Sequence, residues 1–170
     1  MAITINGSGI TSSEIADGTI TTDDIASGVT GKVLQVVQTT SNSQTYIGNS
    51  YTDITGTSIS ITPTSASSKI LLIFNAGGMI QGTNALDIWM KISKNSTTIR
   101  EIKRWMYYNS NNYGAVPIAL QYLDSPSTTS SVTYKLSTKQ NQSTTSTYRI
   151  ADENSPYSNA VIAIAMEIGA

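Results

Sequence analysis

The 170-residue chain contains no cysteine and no histidine, and only 12% of it is charged, about half the share usual for globular proteins. Without cysteine there is no disulfide framework, no thiolate nucleophile and no thiolate metal site. Without histidine the commonest catalytic base and metal ligand are missing. A net charge of −1 provides no electrostatic footprint for nucleic acid. No apolar run reaches 18 residues, so no membrane-inserted segment is expected. Met1-Ala2-Ile3-Thr4 does not begin a basic stretch followed by an apolar core, so a secretory signal is not expected either. Polarity is carried by hydroxyls: serine and threonine number 24 each, about 28% of the residues. Hydrophobic residues make up 39%, 22 of them isoleucine, which is enough for a substantial core.

The chain divides near Lys32. Residues 1–31 carry Glu14, Asp17, Asp23 and Asp24 with no basic or aromatic residue, whereas residues 32–170 hold all ten basic residues and seven acidic ones. The first part repeats itself. Ile10-Thr11-Ser12-Ser13-Glu14-Ile15-Ala16-Asp17-Gly18-Thr19 precedes Ile20-Thr21-Thr22-Asp23-Asp24-Ile25-Ala26-Ser27-Gly28-Val29, and Ile5, Ile10, Ile15, Ile20 and Ile25 recur every five residues. A five-residue step keeps one face on neither a helix nor a strand. Each unit therefore mixes a short capped turn with an extended Thr-Ile-Thr segment. Six isoleucines, at roughly 2–3 kcal/mol each, fall well short of the cost of ordering some thirty residues. The segment is expected to need a partner surface, either identical arms around a shared axis or another protein. A disordered tail with chance periodicity is the plain alternative. Asp23-Asp24 reads as the acidic first turn of a short helix and not as a cation site.

Residues 32–170 read as all-β, an antiparallel β-sandwich or jelly roll of about eight strands with no convincing helix. Val33-Leu34-Gln35-Val36-Val37 is strand-like. Ser58-Ile59-Ser60-Ile61-Thr62 alternates and stops at Pro63. Ile70 to Phe74 is continuously apolar and predicts a central strand that Gly77-Gly78 break or bulge. Leu86 to Ser93 alternates into a turn at Lys94-Asn95-Ser96, with Thr97 to Lys103 returning. Val116 to Tyr122 alternates, and Pro117 predicts an edge. Val132, Tyr134 and Leu136 alternate again. The last strand has two apolar rows, Ile162, Ile164 and Met166 against Ala163 and Ala165. It is expected to be central in a sheet or to lie at a subunit interface, its alanines allowing close approach around an axis.

Several stretches resemble a family of bacteriophage virion proteins, mostly fibre-like, with a short stalk and a C-terminal β knob. They are Ile15-Ala16-Asp17-Gly18-Thr19-Ile20-Thr21, Gly31-Lys32-Val33-Leu34-Gln35-Val36-Val37, the long block from Asp53-Ile54-Thr55-Gly56-Thr57 through Thr62-Pro63-Thr64-Ser65-Ala66-Ser67-Ser68-Lys69-Ile70-Leu71, Tyr122-Leu123-Asp124-Ser125-Pro126 and Ala165-Met166-Glu167-Ile168. The resemblance implies a homotrimer whose knob is similar to tumour-necrosis-factor-like jelly rolls. The stalk of such fibres is usually far longer than about 30 residues. Two roles follow as expectations: a short tail fibre for host attachment, or a capsid decoration protein. In both the chain is virion-located, and residues 1–31 anchor it to tail or capsid proteins.

Arg104-Trp105-Met106-Tyr107-Tyr108-Asn109-Ser110-Asn111-Asn112-Tyr113-Gly114 is the densest aromatic and amide cluster. Trp105, Tyr107, Tyr108, Asn109, Asn111, Asn112 and Tyr113 form the candidate contact for a host-surface glycan or protein. The plainer reading is a hairpin whose aromatics cover the sandwich edge. Ser137 to Thr147 is hydroxyl-rich and could touch polysaccharide, but a solvated hairpin is the preferred reading. Asp87, Glu101 and Asp124 show no paired-carboxylate spacing, so a glycosidase is not expected. No enzyme activity, metal or other cofactor is expected. A free-standing carbohydrate-binding module is a third class, disfavoured by the repeat arm.

Overall fold

The computed structural model describes residues 32–81, 86–108, 114–141, 147–151 and 160–169. The arm, with Ile5, Ile10, Ile15, Ile20 and Ile25, lies outside the described residues. These contain eleven strands and no helix: β1 (Val33–Ser41), β2 (Thr45–Ile47), β3 (Thr52–Asp53), β4 (Ile59–Ile61), β5 (Lys69–Gln81), β6 (Leu86–Lys94), β7 (Thr97–Tyr108), β8 (Gly114–Asp124), β9 (Val132–Gln140), β10 (Thr147–Ile150) and β11 (Val161–Ile168). All pairings among these strands are antiparallel, and the strands form two sheets. The expected all-β, jelly-roll-like sandwich is what the chain forms.

In the first sheet, β5 is the spine. Its residues Ile70 to Asn75 pair with β11 along one edge and with β8 along the other. Farther along, Gly78 to Gln81 pair with β10, which in turn pairs with β2. β1 lies on the outer side of β11. β8, which holds Pro117, pairs with β5 alone among the described strands, as a proline-bearing edge strand should. In the second sheet, β9 takes β3 and β4 on one side and β6 on the other, with β7 beyond β6.

Period-two alternation fills the space between the sheets. Ile70, Leu72 and Phe74 of β5 meet Ile88, Met90 and Ile92 of β6 and Tyr134 and Leu136 of β9 in one buried cluster. β11 contributes Val161, Ala163 and Ala165 to it, each with no exposed surface. Gly77-Gly78 do not break β5, which runs straight through them. The reason is local: a Cβ on Gly78 would stand 2.8 Å from Cε2 of the buried Tyr148 ring, so the glycine makes room for that ring. Gly56 is the one glycine of positive φ among the described residues, at 87°, and its carbonyl accepts from Thr39 Oγ1 at 2.7 Å. Thr57 beside it is buried and knots the loop to β9. Its hydroxyl donates to the Ile54 and Leu136 carbonyls at 2.8 and 3.0 Å.

Two buried carboxylates tie the sandwich together. Asp124, on β8 of the first sheet, accepts from Tyr134 Oη at 2.7 Å and Lys94 Nζ at 2.9 Å, both on the second sheet. Burial, and then the Asp124 carboxylate, push the Tyr134 phenol well above its ordinary pKa. Glu167, on β11, accepts from the Thr64 amide and hydroxyl at 2.7 Å each and from Gln35 of β1. Gln35 also donates to the Thr62 carbonyl at 2.7 Å. Burial acts to raise the Glu167 pKa, but the hydrogen bonds from Gln35, Thr64 and Ser68 outweigh it and hold the carboxyl at about 2.

The β6–β7 hairpin turns on Asn95 and Ser96, whose φ values of 48° and 78° are both left-handed, as a type I′ turn requires. Serine is strained there by about 1–2 kcal/mol. Ser96→Gly is expected to raise stability by about 0.5–1 kcal/mol, read as a higher denaturation midpoint. A second expectation concerns Glu167. Its folded pKa lies below that of a free glutamate, near 4.5, so its contribution is complete above that pH and fades as pH falls to about 2. Glu167→Gln should cost roughly 2–3 kcal/mol at pH 7, with the gap to the native chain closing across that acid window in pH-dependent denaturation.

Candidate functional site

The two sheets present opposite chemistry to their surroundings. On the second sheet the outward row of β6 is Trp89, Lys91 and Ser93, and register sets each beside a residue of β9: Trp89 by Lys139, Lys91 by Ser137, Ser93 by Lys135. On the far side of β6, Lys91 faces Glu101 of β7, and beyond β9, Ser137 faces Asp53 of β3. Tyr51 crosses this face from the β3 side. Its hydroxyl donates to Glu101 Oε1 at 2.8 Å, and its ring centroid lies 4.6 Å from Lys91 Nζ and 5.0 Å from Lys139 Nζ. Trp89 carries the pattern on, with Lys139 Nζ at 4.4 Å and Lys103 Nζ at 5.2 Å from its ring. Cations and aromatic faces thus alternate across the sheet, each pair attracted through the ring quadrupole.

Beside this ladder lies an open groove of about 520 Å³. Its floor is Lys91, Ser93, Lys135 and Ser137, with Asp53 and Thr133 along the sides and the Asn95-Ser96 turn as its rim. Every lining residue is polar. Asp53 accepts from Ser137 Oγ at 2.6 Å and Lys135 Nζ at 3.1 Å, and these contacts lower its pKa, the Ser137 bond most. The rim is pinned to β9 by a reciprocal pair: the Asn95 amide donates to the Thr133 carbonyl at 2.9 Å, and the Thr133 amide donates to Asn95 Oδ1 at 2.8 Å.

The outer face of the first sheet has an apolar centre. Register aligns Val36, Met166, Leu71 and Leu123 in one row across β1, β11, β5 and β8, and sets Ile164 and Ile73 in the next between Gln38 and Gln121. Val36 is 55% and Leu123 49% exposed. Met166, Leu71, Ile164 and Ile73 are half-buried by their neighbours.

The expected site residues fall as follows. Ile162, Ile164 and Met166 point outward on this apolar face. Ala163 and Ala165 do not: they point into the sandwich with no exposed surface. They have nothing to contribute to close approach around an axis, and the expectation moves to the isoleucine and methionine row. Trp105, Tyr107 and Tyr108 belong to the backbone of β7, but their side chains lie outside the description. Asn109, Asn111, Asn112 and Tyr113 lie outside the described residues. The stretch from Ser137 is not a solvated hairpin up to Gln140: β9 continues through it, and Ser137 and Thr138 are fully buried. Asp87, Glu101 and Asp124 sit in three separate settings. Among the described residues no group of three metal-ligating side chains gathers.

The groove and ladder went unseen in the sequence. A signal was present, since Trp89, Lys91 and Ser93 are the polar row of an alternating strand. Only the cross-strand register shows that Lys135, Lys139 and Tyr51 join them.

No family model and no curated protein matches the chain. Solved structures of infectious bursal disease virus are similar to it at a loose level. A structure of the Gt strain aligns at TM-score 0.36 and 14% identity, covering 83% of this chain and 39% of that one. The VP2 subviral particle aligns at TM-score 0.34 and 15% identity, covering 80% and 38%. The chain therefore spans well under half the length of these proteins.

Burial, and then the Glu101 carboxylate, push the Tyr51 phenol above its usual range. Comparison of native and Tyr51→Phe proteins by ultraviolet titration is expected to show that the missing phenol is one that ionises later than free tyrosine. Glu101→Gln should bring that ionisation to lower pH.

Proposed function

We propose that this chain is a structural protein of a phage virion, a homotrimer in which residues 1–31 anchor to the particle and residues 32–170 form a displayed knob. The observation that carries this reading is the apolar outer face of the first sheet. An antiparallel sheet with one side in water normally alternates apolar and polar residues. Here β11 is apolar on both sides from Val161 to Met166, β5 adds Leu71 and Ile73 beside it, and one outward row runs unbroken from Val36 to Leu123. A contiguous apolar face of this kind marks an association surface. The second sheet supplies the contrast within the same molecule, since its outer face is lysine, hydroxyl and carboxylate, with its two rings, Tyr51 and Trp89, each covered by lysines.

The resemblance to phage fibre-like proteins supports the virion setting, and the threefold symmetry comes from it. Its blocks fall on residues that hold the sandwich closed: Gly56 and Thr57, Thr62 to Ser68, Asp124, Glu167. With the apolar sheets facing one another around the axis, the polar faces look outward in three copies, and multivalency strengthens a weak contact made by each. A short tail fibre with a host-attachment knob is the leading form of this role, and a capsid decoration protein is the other.

Light scattering of the full chain is expected to give three chain masses. Ile164→Lys should give a single-chain mass while keeping a cooperative unfolding transition. A single-chain mass for the native protein overturns the trimer. Labelling on particles separates the two roles: a few copies at the tail mark a fibre, whereas many copies over the capsid lattice mark a decoration protein.

A further inference from the structure

The lysines of the second sheet are placed in order along it. Lys135 lies at the level of Ser93, Lys91 one level on, and Lys139 at the level of Trp89. Successive levels on one face of a strand are about 6.8 Å apart. Lys103, over the same Trp89 ring, lengthens the run. These four ammonium groups share the face with Asp53 and Glu101, so it is positive on a chain whose net charge is −1. Tyr51 and Trp89 hold the lysine heads against their rings, and the Asn95-Ser96 rim is fixed by its bonds to β9. Little ordering is left for a ligand to impose, which favours affinity.

We propose that this groove and ladder bind an acidic polysaccharide. An anionic substituent of one sugar sits between Lys91 and Lys135, and further acidic groups along the polymer follow to Lys139 and Lys103. Sugar hydroxyls meet the hydroxyls of Ser93, Ser96 and Thr133, and the Asn95 amide NH2, whose partner oxygen is taken up by the Thr133 amide. Asp53, ionised and anchored by Ser137, accepts from a sugar hydroxyl. An open groove lined entirely by polar groups suits a hydroxyl-rich ring and offers no pocket to an apolar side chain. Charge-assisted bonds from regularly spaced lysines favour a polymer with repeating negative charge over a neutral one. The site is distinct from the aromatic and amide cluster of residues 104–114. It rests on the reading of the chain as a displayed knob and names the ligand class such a knob would hold.

The test uses the full chain at physiological salt with five immobilised probes: hyaluronate for carboxylate, chondroitin sulfate for sulfate, a phosphomannan for phosphate, neutral dextran, and a single-stranded DNA oligonucleotide. At least one acidic polysaccharide is expected to bind more tightly than dextran and DNA, and its identity assigns the acidic group. Lys91→Gln with Lys135→Gln should weaken that binding by about tenfold or more, with an unchanged thermal midpoint. Lys32→Gln with Lys69→Gln removes the same charge elsewhere and should leave binding within about twofold. Equal retention on dextran, tighter retention on DNA, an equal loss in the control pair, or no binding to any acidic polysaccharide overturns the proposal. The chain mass in solution and the location on the particle are independent of these variants. A failure of the groove thus leaves the trimeric virion role standing, and a failure of that role shows in those two measurements.

Discussion

β11 has to be apolar on both sides, and the remainder of the molecule is arranged around that requirement. It lies between β1 and β5, so both of its edges are paired. Its inward residues are Val161, Ala163 and Ala165, and the small alanines leave space for larger side chains from the facing sheet, where β4 brings Ile59 and Ile61 against this strand. At its end, where the alternation would place another apolar residue inside, stands Glu167. A buried carboxylate is tolerable only with its lone pairs filled. Gln35 of β1 and Thr64 of the segment before β5 fill them. The polar cap of the strand is thus also the clamp that joins its two neighbours.

A low charge content takes on a different meaning in this arrangement. Few ions are present, and they are concentrated where they act. Asp124 and Lys94 join the two sheets, Glu167 closes one end, and Asp53, Glu101, Lys91, Lys103, Lys135 and Lys139 gather on a single outer face. Hydroxyls do the rest of the internal polar work. Thr57, Thr45 and Ser137 are buried with partners, and threonine suits strands because its branched Cβ packs well on a pleated surface.

Much of this fold was legible in the residues, and the pattern of what was not has a physical basis. β4, β6, β9 and β11 show period-two alternation, and each lies where that pattern predicts. β2, β3 and β10 are two to four residues long; such segments become strands because a neighbour offers hydrogen bonds, and that neighbour is remote in sequence. Gly77-Gly78 looked like a break because the ring of Tyr148, which occupies the vacated space, comes from a strand some seventy residues later. Ser137 and Thr138 looked solvated, yet Asp53 and the Trp89 carbonyl give their hydroxyls partners inside the structure. The lysine face shows the same limitation. Its residues are visible one strand at a time, but the distance between Lys139 and Tyr51 is a fact of register. The two alanines of β11 suggested close approach around an axis, but they are buried against the chain's own other sheet, a placement that depends on which way the strand's alternation faces.

The pairing of β1 with β11 has a consequence for the order of events in making the protein. The first and last of the eleven strands are neighbours along eight residues, and β11 also supplies one edge of the spine strand. Until it arrives, β1 has no partner in the sheet and Gln35 and Thr64 have no carboxylate to enclose. Hairpins such as β6–β7 assemble from adjacent sequence, but this sheet closes through contacts that span nearly the whole described chain, which are slow to form. The apolar outer face takes shape only at that last step. A chain in which β11 has not yet paired therefore lacks the Ile164 and Met166 row that joins Val36 to Leu71 and Ile73 on this face.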